Sequence, residues 1–199
     1  LISLDAGDDA LSMRLNLGSH IWNQPGWINI DLRSYESPSG VVAPDIFHDI
    51  RKPFPFDPGS VDAVYCGHIL EHIELSEVPT VLDNIRRVLK PGGMLGVVGP
   101  CLELARAGYP SAIIENGFKG GPEGCAHLWH PTAQSTRELL ESDDWAVTEF
   151  DILTMPDSWP LVSRVGWQCA FECTDARPKK SPAKKPAKRI RTDHTVRTV

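Results

Sequence analysis

The chain has 199 residues, 41% of them hydrophobic and 23% charged, with a formal net charge of −6. That is enough for one domain with a sizeable core, burying about 70% of the surface an unfolded chain of this size exposes. No run of about 18 apolar residues is present to span a membrane, so no membrane partner is expected. Without an evident secretory leader the expected location is cytoplasmic. Five cysteines, an odd number lacking any CxxC pair, read most simply as reduced thiols.

In chain order, residues 1–11 are acidic and unpatterned, a flexible lead-in to a domain spanning 12–176. Met13 to Leu17 (MRLNL) predicts a first strand, followed by Gly18-Ser19-His20. Only nine residues, Gly18 to Gly26, separate it from Trp27 to Asp31 (WINID), the second strand; a full crossover helix barely fits, so a short turn of helix or a loop closed by Pro25-Gly26 is expected. Val41 to Ile50 supplies a third strand around Ile46-Phe47-His48. Asp62 to Cys66 (DAVYC), bounded by Pro58-Gly59 and Gly67, is a short apolar run that predicts a buried strand.

From Ser76 onward, apolar residues at Val78, Val81, Leu82, Ile85, Val88 and Leu89 follow the three-and-four spacing of a helix with one buried face. Arg86, Arg87 and Lys90 lie at its end, where cations favour the carbonyl pole of the dipole. Pro91-Gly92-Gly93 stops it, and Met94 to Val98 is the next strand. Strand, helix and strand make one βαβ unit. In open parallel sheets ligands bind beyond the carboxyl ends of strands, which places Cys66, Gly67, His68, Glu71 and His72 where chemistry is expected.

Residues 102–131 form a long Gly-rich insertion with Tyr109, Lys119, Cys125, His127, Trp129 and His130, expected to be a lid or substrate loop. Ser135 and Glu138 have the spacing of a capping box before Leu139-Leu140. Trp145 to Leu153 suits a strand. Val165, Trp167, Cys169, Phe171 and Cys173 alternate with their neighbours in period two and predict a last strand with both cysteines on the core face.

Charge is split along the chain. Residues 1–176 hold 11 basic and 25 acidic residues, a balance of −14, whereas residues 177–199 hold nine basic and one acidic, +8. That Pro- and Lys-rich tail cannot bury enough apolar surface to order itself. It reads as a solubilising segment or as a non-specific nucleic-acid tether weakened by salt.

The words LNLGS…PGWINIDL, DAVYCGHILEHI and RRVLKPGGML, at this spacing, resemble class I S-adenosylmethionine-dependent methyltransferases, in particular a small type-11-like group. The resemblance implies an α/β fold: a Rossmann-like, mostly parallel seven-stranded sheet, helices on both faces, and an antiparallel last strand inserted between strands five and six. It implies S-adenosylmethionine as methyl donor, held by Asn16, Gly18, Asp31, Asp49, Ile50, Cys66 and Gly67. Asp31 would accept hydrogen bonds from the ribose hydroxyls and Asp49 would face the adenine amino group. Where the family usually has a second glycine, this chain has His20.

His68 and His72 are the candidate catalytic residues. On a helix they would stand one turn apart on one face, either able to take a proton near neutral pH, with a structural hydrogen-bonding role as the alternative for each. No metal site is assigned, since HILEH lacks the order of HExxH, and Cys125, His127 and His130 lack a fourth ligand at convincing spacing. The expected activity is methyl transfer to an O- or N-nucleophile of a small molecule or saccharide. The alternatives are a nucleic-acid-associated methyltransferase or binding protein using the tail, and a catalytically silent cofactor-binding module.

Overall fold

The computed structural model describes residues 12–108, 127–150, 152, 159–160 and 168–177. The lead-in, most of the insertion and the basic tail lie outside the described residues. The strands are β1 (Arg14–Leu17), β2 (Ile28–Asp31), β3 (Tyr35–Ser37), β4 (Gly40–Val42), β5 (Ile46–Phe47), β6 (Val61–Gly67), β7 (Leu89–Pro100), β8 (Trp145–Phe150) and β9 (Gln168–Asp175). The helices are α1 (Val78–Val88), α2 (Leu102–Gly108) and α3 (Ala133–Ser142), with a 3₁₀ turn at Leu70–His72.

Seven strands form one sheet in the order β5-β2-β1-β6-β7-β9-β8. β5, β2, β1, β6 and β7 run parallel. β9 is antiparallel to both neighbours, lying between β7 and β8 as expected. The third strand is shorter than anticipated: Val41 and Val42 instead pair with Glu36 and Tyr35 in a separate β3–β4 hairpin. Pro38-Ser39 turns the chain there, and only Ile46 and Phe47 reach the main sheet.

Strand alternation assigns the faces. Leu15, Leu17, Ile30, Val64, Cys66, Leu95, Val97, Cys169, Phe171 and Cys173 join one core cluster, packed beneath Val81, Leu82, Ile85 and Val88 of α1 and Leu140 of α3. Each such aliphatic side chain, withdrawn from water, contributes about 1.5–3 kcal/mol. On the opposite face Ala63, Tyr65, Val98 and Ala170 meet Ile152 and Trp159, with Trp27 and Phe150 at the margin.

The cations at the end of α1 do more than face a dipole. Arg87 donates to the carbonyls of Phe54 (2.6 Å) and Phe56 (2.9 Å), tying the approach to β6 onto the helix. Arg86 is buried among Asp83 (2.9 Å), Asp143 (2.9 Å) and Asp175 (3.1 Å), its guanidinium 4.4 Å from the Trp145 ring centroid. At α3 the cap differs from the expected Ser135–Glu138 pair. Thr132 is the N-cap and Ser135 its reciprocal partner, because the helix starts at Ala133; Glu138 instead accepts from Gln134 at 2.8 Å.

The short β1–β2 link is braced by side chains in place of a helix. Asn16 donates to the carbonyl of Trp22 (3.2 Å) and to Oδ1 of Asn29 (3.0 Å). That same oxygen accepts from the Gln24 backbone at 2.8 Å, and the Asn29 amide donates to Asp45 at 2.7 Å. Backbone groups that a helix would have satisfied internally are met by this amide network.

Candidate active site

The carboxyl edge of the parallel strands gathers three predicted places. β1 ends at Leu17, and Gly18 follows with a φ of +66°, a left-handed conformation; a Cβ there would lie 2.6 Å from Cδ1 of Ile69, beyond the end of β6. The Gly18 amide donates to the carbonyl of Ile30 at 2.9 Å, so the turn is fastened to the end of β2. His20 is also left-handed, with φ +48°, the conformation that the usual glycine would adopt at little cost. Here it is held by its own amide, which donates to Oδ2 of Asp31 at 2.9 Å, and by its ring, 4.1 Å from that of Tyr35. Burial lowers the basicity of His20, with the Asp31 charge pulling the other way.

Asp31 is 8% exposed. Its Oδ1 accepts from the Leu32 amide (2.7 Å) and the Tyr35 hydroxyl (2.9 Å). A carboxylate offers about four acceptor positions, and three are used. One acceptor position is left open, and a second opens if Tyr35 turns away.

The backbone of β5 continues the same edge, the His48 amide donating to the Asp31 carbonyl at 2.9 Å. Asp49 follows, engaged by both Nε and Nη2 of Arg51 at 2.9 Å. Those hydrogen bonds hold its carboxyl below the ordinary range. The Ile50 side chain is in the core and its carbonyl accepts from Asn84 at 3.2 Å. Cys66 is buried, which pushes its thiol up and leaves it inert. Gly67 is required by its neighbour, since a Cβ would stand 2.4 Å from the Tyr65 ring. Asn16 faces the amide network already described.

Past β6 the structure departs from the expected helix. His68 has φ +52°, and only Leu70–His72 make a single 3₁₀ turn, so His68 and His72 do not share a helical face. The reason is the tight exit from the sheet: the His68 amide is still paired with Val98 at 2.8 Å, and the chain must reverse at once. His68 is fixed instead between Gln168, hydrogen-bonded to Nε2, and Glu71, whose Oε1 is 3.3 Å from Nδ1.

The far side of the insertion docks here. The Leu128 amide donates to the Glu71 carbonyl at 2.8 Å, and Trp129 Nε1 to the Leu70 carbonyl at 3.0 Å. This brings His127 to His72, ring centroids 4.9 Å apart and edge on. Burial lowers the His127 pKa, opposed by the Glu71 charge. Backbone strain at His20 and His68 thus borders the same edge, a pattern common at functional sites. Gln168 had no sequence signal, because its place follows from the insertion of β9 beside β7. Tyr109, Lys119 and Cys125 lie outside the described residues.

Residues 37–97 match a family model described as a methyltransferase domain. Comparison with curated protein sequences returned no match. Among solved structures the chain is similar to one in the complex between the Haloferax volcanii Trm112 methyltransferase activator and a methyltransferase, with 16% identity, 83% of each chain covered and a TM-score of 0.53. It is also similar to an S-adenosylmethionine-dependent methyltransferase from Archaeoglobus fulgidus, with 12% identity, 81% and 86% coverage and a TM-score of 0.52. Human N-acetylserotonin methyltransferase, solved with S-adenosylmethionine, shares 15% identity over 83% of this chain and 48% of its own, with a TM-score of 0.53. At such identities the likeness is one of fold, and the segment matched by the family model runs from the hairpin to β7. Residues 37–97 thus carry a match to a methyltransferase domain, within a Rossmann-like fold shared with solved S-adenosylmethionine-dependent methyltransferases.

Proposed function

We propose that the chain methylates an O- or N-nucleophile of a small molecule or saccharide, with the donor along the β5-β2-β1-β6 edge and the acceptor between His68 and the 127–130 segment. The observation carrying this reading is the convergence of Gly18, Asp31 and the β6 exit. Gly18 is bonded to β2 and packed on Ile69, and His20 is bonded to Asp31. S-adenosylmethionine supplies a methyl carbon already activated on a sulfonium, so the protein's task is chiefly alignment of acceptor and donor and exclusion of water.

In this reading Asp31 receives the ribose hydroxyls, and Asp49 with the Ile50 backbone borders the adenine. Gly18, Cys66 and Gly67 let backbone approach the donor closely, and Asn16 keeps the turn in shape. His68, its Nδ1 facing Glu71, takes the acceptor's proton at Nε2 by exchanging its hydrogen bond from Gln168 for one from the acceptor, with His72 as the second candidate. Titration calorimetry with S-adenosylmethionine and S-adenosylhomocysteine tests the donor site, wild type against Asp31→Ala. Transfer of a labelled methyl group into fractionated cell extract tests the acceptor class. No heat at millimolar ligand, or label entering only RNA or DNA, would refute the corresponding half. The +8 charge of residues 177–199 supports a nucleic-acid contact; deleting them should then abolish salt-sensitive retention on DNA or RNA.

A further inference from the structure

We propose that Glu71, His72 and His127 form a binding site for a divalent transition-metal cation of the zinc or manganese kind, with coordination positions left open beside the acceptor. One ligand atom from each of these residues lies within 4.8 Å of the other two. Around a single ion with ligand distances of about 2.1 Å, neighbouring donors stand about 3–4 Å apart, so closing the set takes side-chain rotation of about 1 Å. Two imidazoles and a carboxylate suit zinc, manganese or iron far better than magnesium or calcium, which favour all-oxygen shells.

Two further observations point to a ligand. Glu71 is 3% exposed, yet its Oε1 accepts no aligned hydrogen bond among the described residues, His68 Nδ1 standing 3.3 Å away. A buried carboxylate in that state is costly, and a cation would offset the cost. The frame is also cross-braced: the 70–72 turn and the 127–129 segment are joined by the Leu128–Glu71 and Trp129–Leu70 hydrogen bonds. His68 against the Glu71 carboxylate then acts as an outer partner that orients a ligand.

Three protein donors leave positions for water or for an acceptor oxygen, the pattern of catalytic rather than structural sites. A vicinal diol or a catechol would chelate there through its two oxygens and be held for attack. That role rests on the methyltransferase reading; the cation site does not.

The test uses the untagged full chain, stripped with chelator and titrated with Zn²⁺, Mn²⁺ and Co²⁺ by calorimetry, with Co²⁺ ligand-field absorption as a second readout. Wild type should take one equivalent, and His127→Ala should bind at least about 100-fold more weakly. Glu71→Gln should behave likewise, and because it alters a buried site, His127→Ala, on a half-buried residue, carries the decision if that variant fails to fold. S-adenosylhomocysteine binding measured on the same samples should survive in His127→Ala. Wild type taking no cation, or His127→Ala binding as tightly as wild type, overturns the site. Loss of S-adenosylhomocysteine binding by wild type itself would instead overturn the donor reading and leave the cation result standing.

Discussion

Asp31→Asn keeps the size of the side chain and removes one of its acceptors, which makes it a sharp probe of the donor edge. In the wild type Oδ2 takes the His20 amide, and Oδ1 takes the Leu32 amide and the Tyr35 hydroxyl. An asparagine oxygen kept toward Leu32 and Tyr35 turns its amino group against the His20 N–H, donor against donor at a nearly buried position. Leaving such a donor unsatisfied costs about 1–3 kcal/mol. At about 2 kcal/mol, a chain of this size should lose about 4–8 °C in Tm. The donor's ribose would lose a charge-assisted hydrogen bond of about 1.5–3 kcal/mol, so the Kd for S-adenosylhomocysteine should rise about 10- to 100-fold. Scanning calorimetry reads the first effect and isothermal titration the second. Tyr35→Phe removes the hydroxyl that competes for Oδ1 and should bind no more weakly than wild type. A folded Asp31→Asn protein with wild-type affinity would refute the ribose assignment, and an unchanged Tm would refute the stapling of His20.

Other perturbations have equally definite outcomes. Gly18→Ala forces an L-residue to φ +66°, costing about 1–2 kcal/mol, and adds the 2.6 Å overlap with Ile69. Adding Ile69→Ala should recover the overlap alone, so urea unfolding of the two singles and the double should show coupling; strict additivity would contradict the contact. Asp62 pays desolvation, which raises its pKa, but Lys90 at 2.7 Å and the Met13 amide at 2.8 Å more than reverse that, and its carboxyl titrates below the ordinary value. Its folded pKa being the lower one, the stabilisation is complete above the unfolded carboxylate range and fades as pH falls through the folded value. The stability gap between wild type and Asp62→Asn should therefore be wide at pH 7 and narrow as pH falls below the ordinary carboxylate value, and a gap independent of pH would count against it. Arg86→Met strands Asp143 and Asp175 beside the core. Discounted for the partial exposure of those carboxylates, the loss should be about 2–3 kcal/mol by denaturant unfolding, and a variant as stable as wild type would show the clamp to be idle.

The periodic elements were legible in the sequence because their signals are local. Val81, Leu82, Ile85 and Val88 are all fully buried on α1, as their spacing requires, and Cys169, Phe171 and Cys173 share the core face of β9. The positions of Asp31 at the end of β2 and of Gly18 just past β1 were legible through word order, since the hydrophobic runs of both strands are unmistakable. His20 stood out as a departure, but only the backbone showed that it adopts the glycine's conformation.

Contacts between distant segments were decided by tertiary structure alone. Gln168 reaches His68 across 100 residues, because β9 enters antiparallel beside β7, a choice that leaves no trace in either local pattern. His127 meets His72 because the Leu128 amide and the Trp129 indole, bonded to the carbonyls of Glu71 and Leu70, dock the end of the insertion. Arg86 looked like a dipole partner and became a buried clamp, since its three carboxylates come from α1, the α3–β8 turn and β9. Sequence period sets which face of an element is apolar, and chain closure through the sheet then sets which polar side chains meet across it.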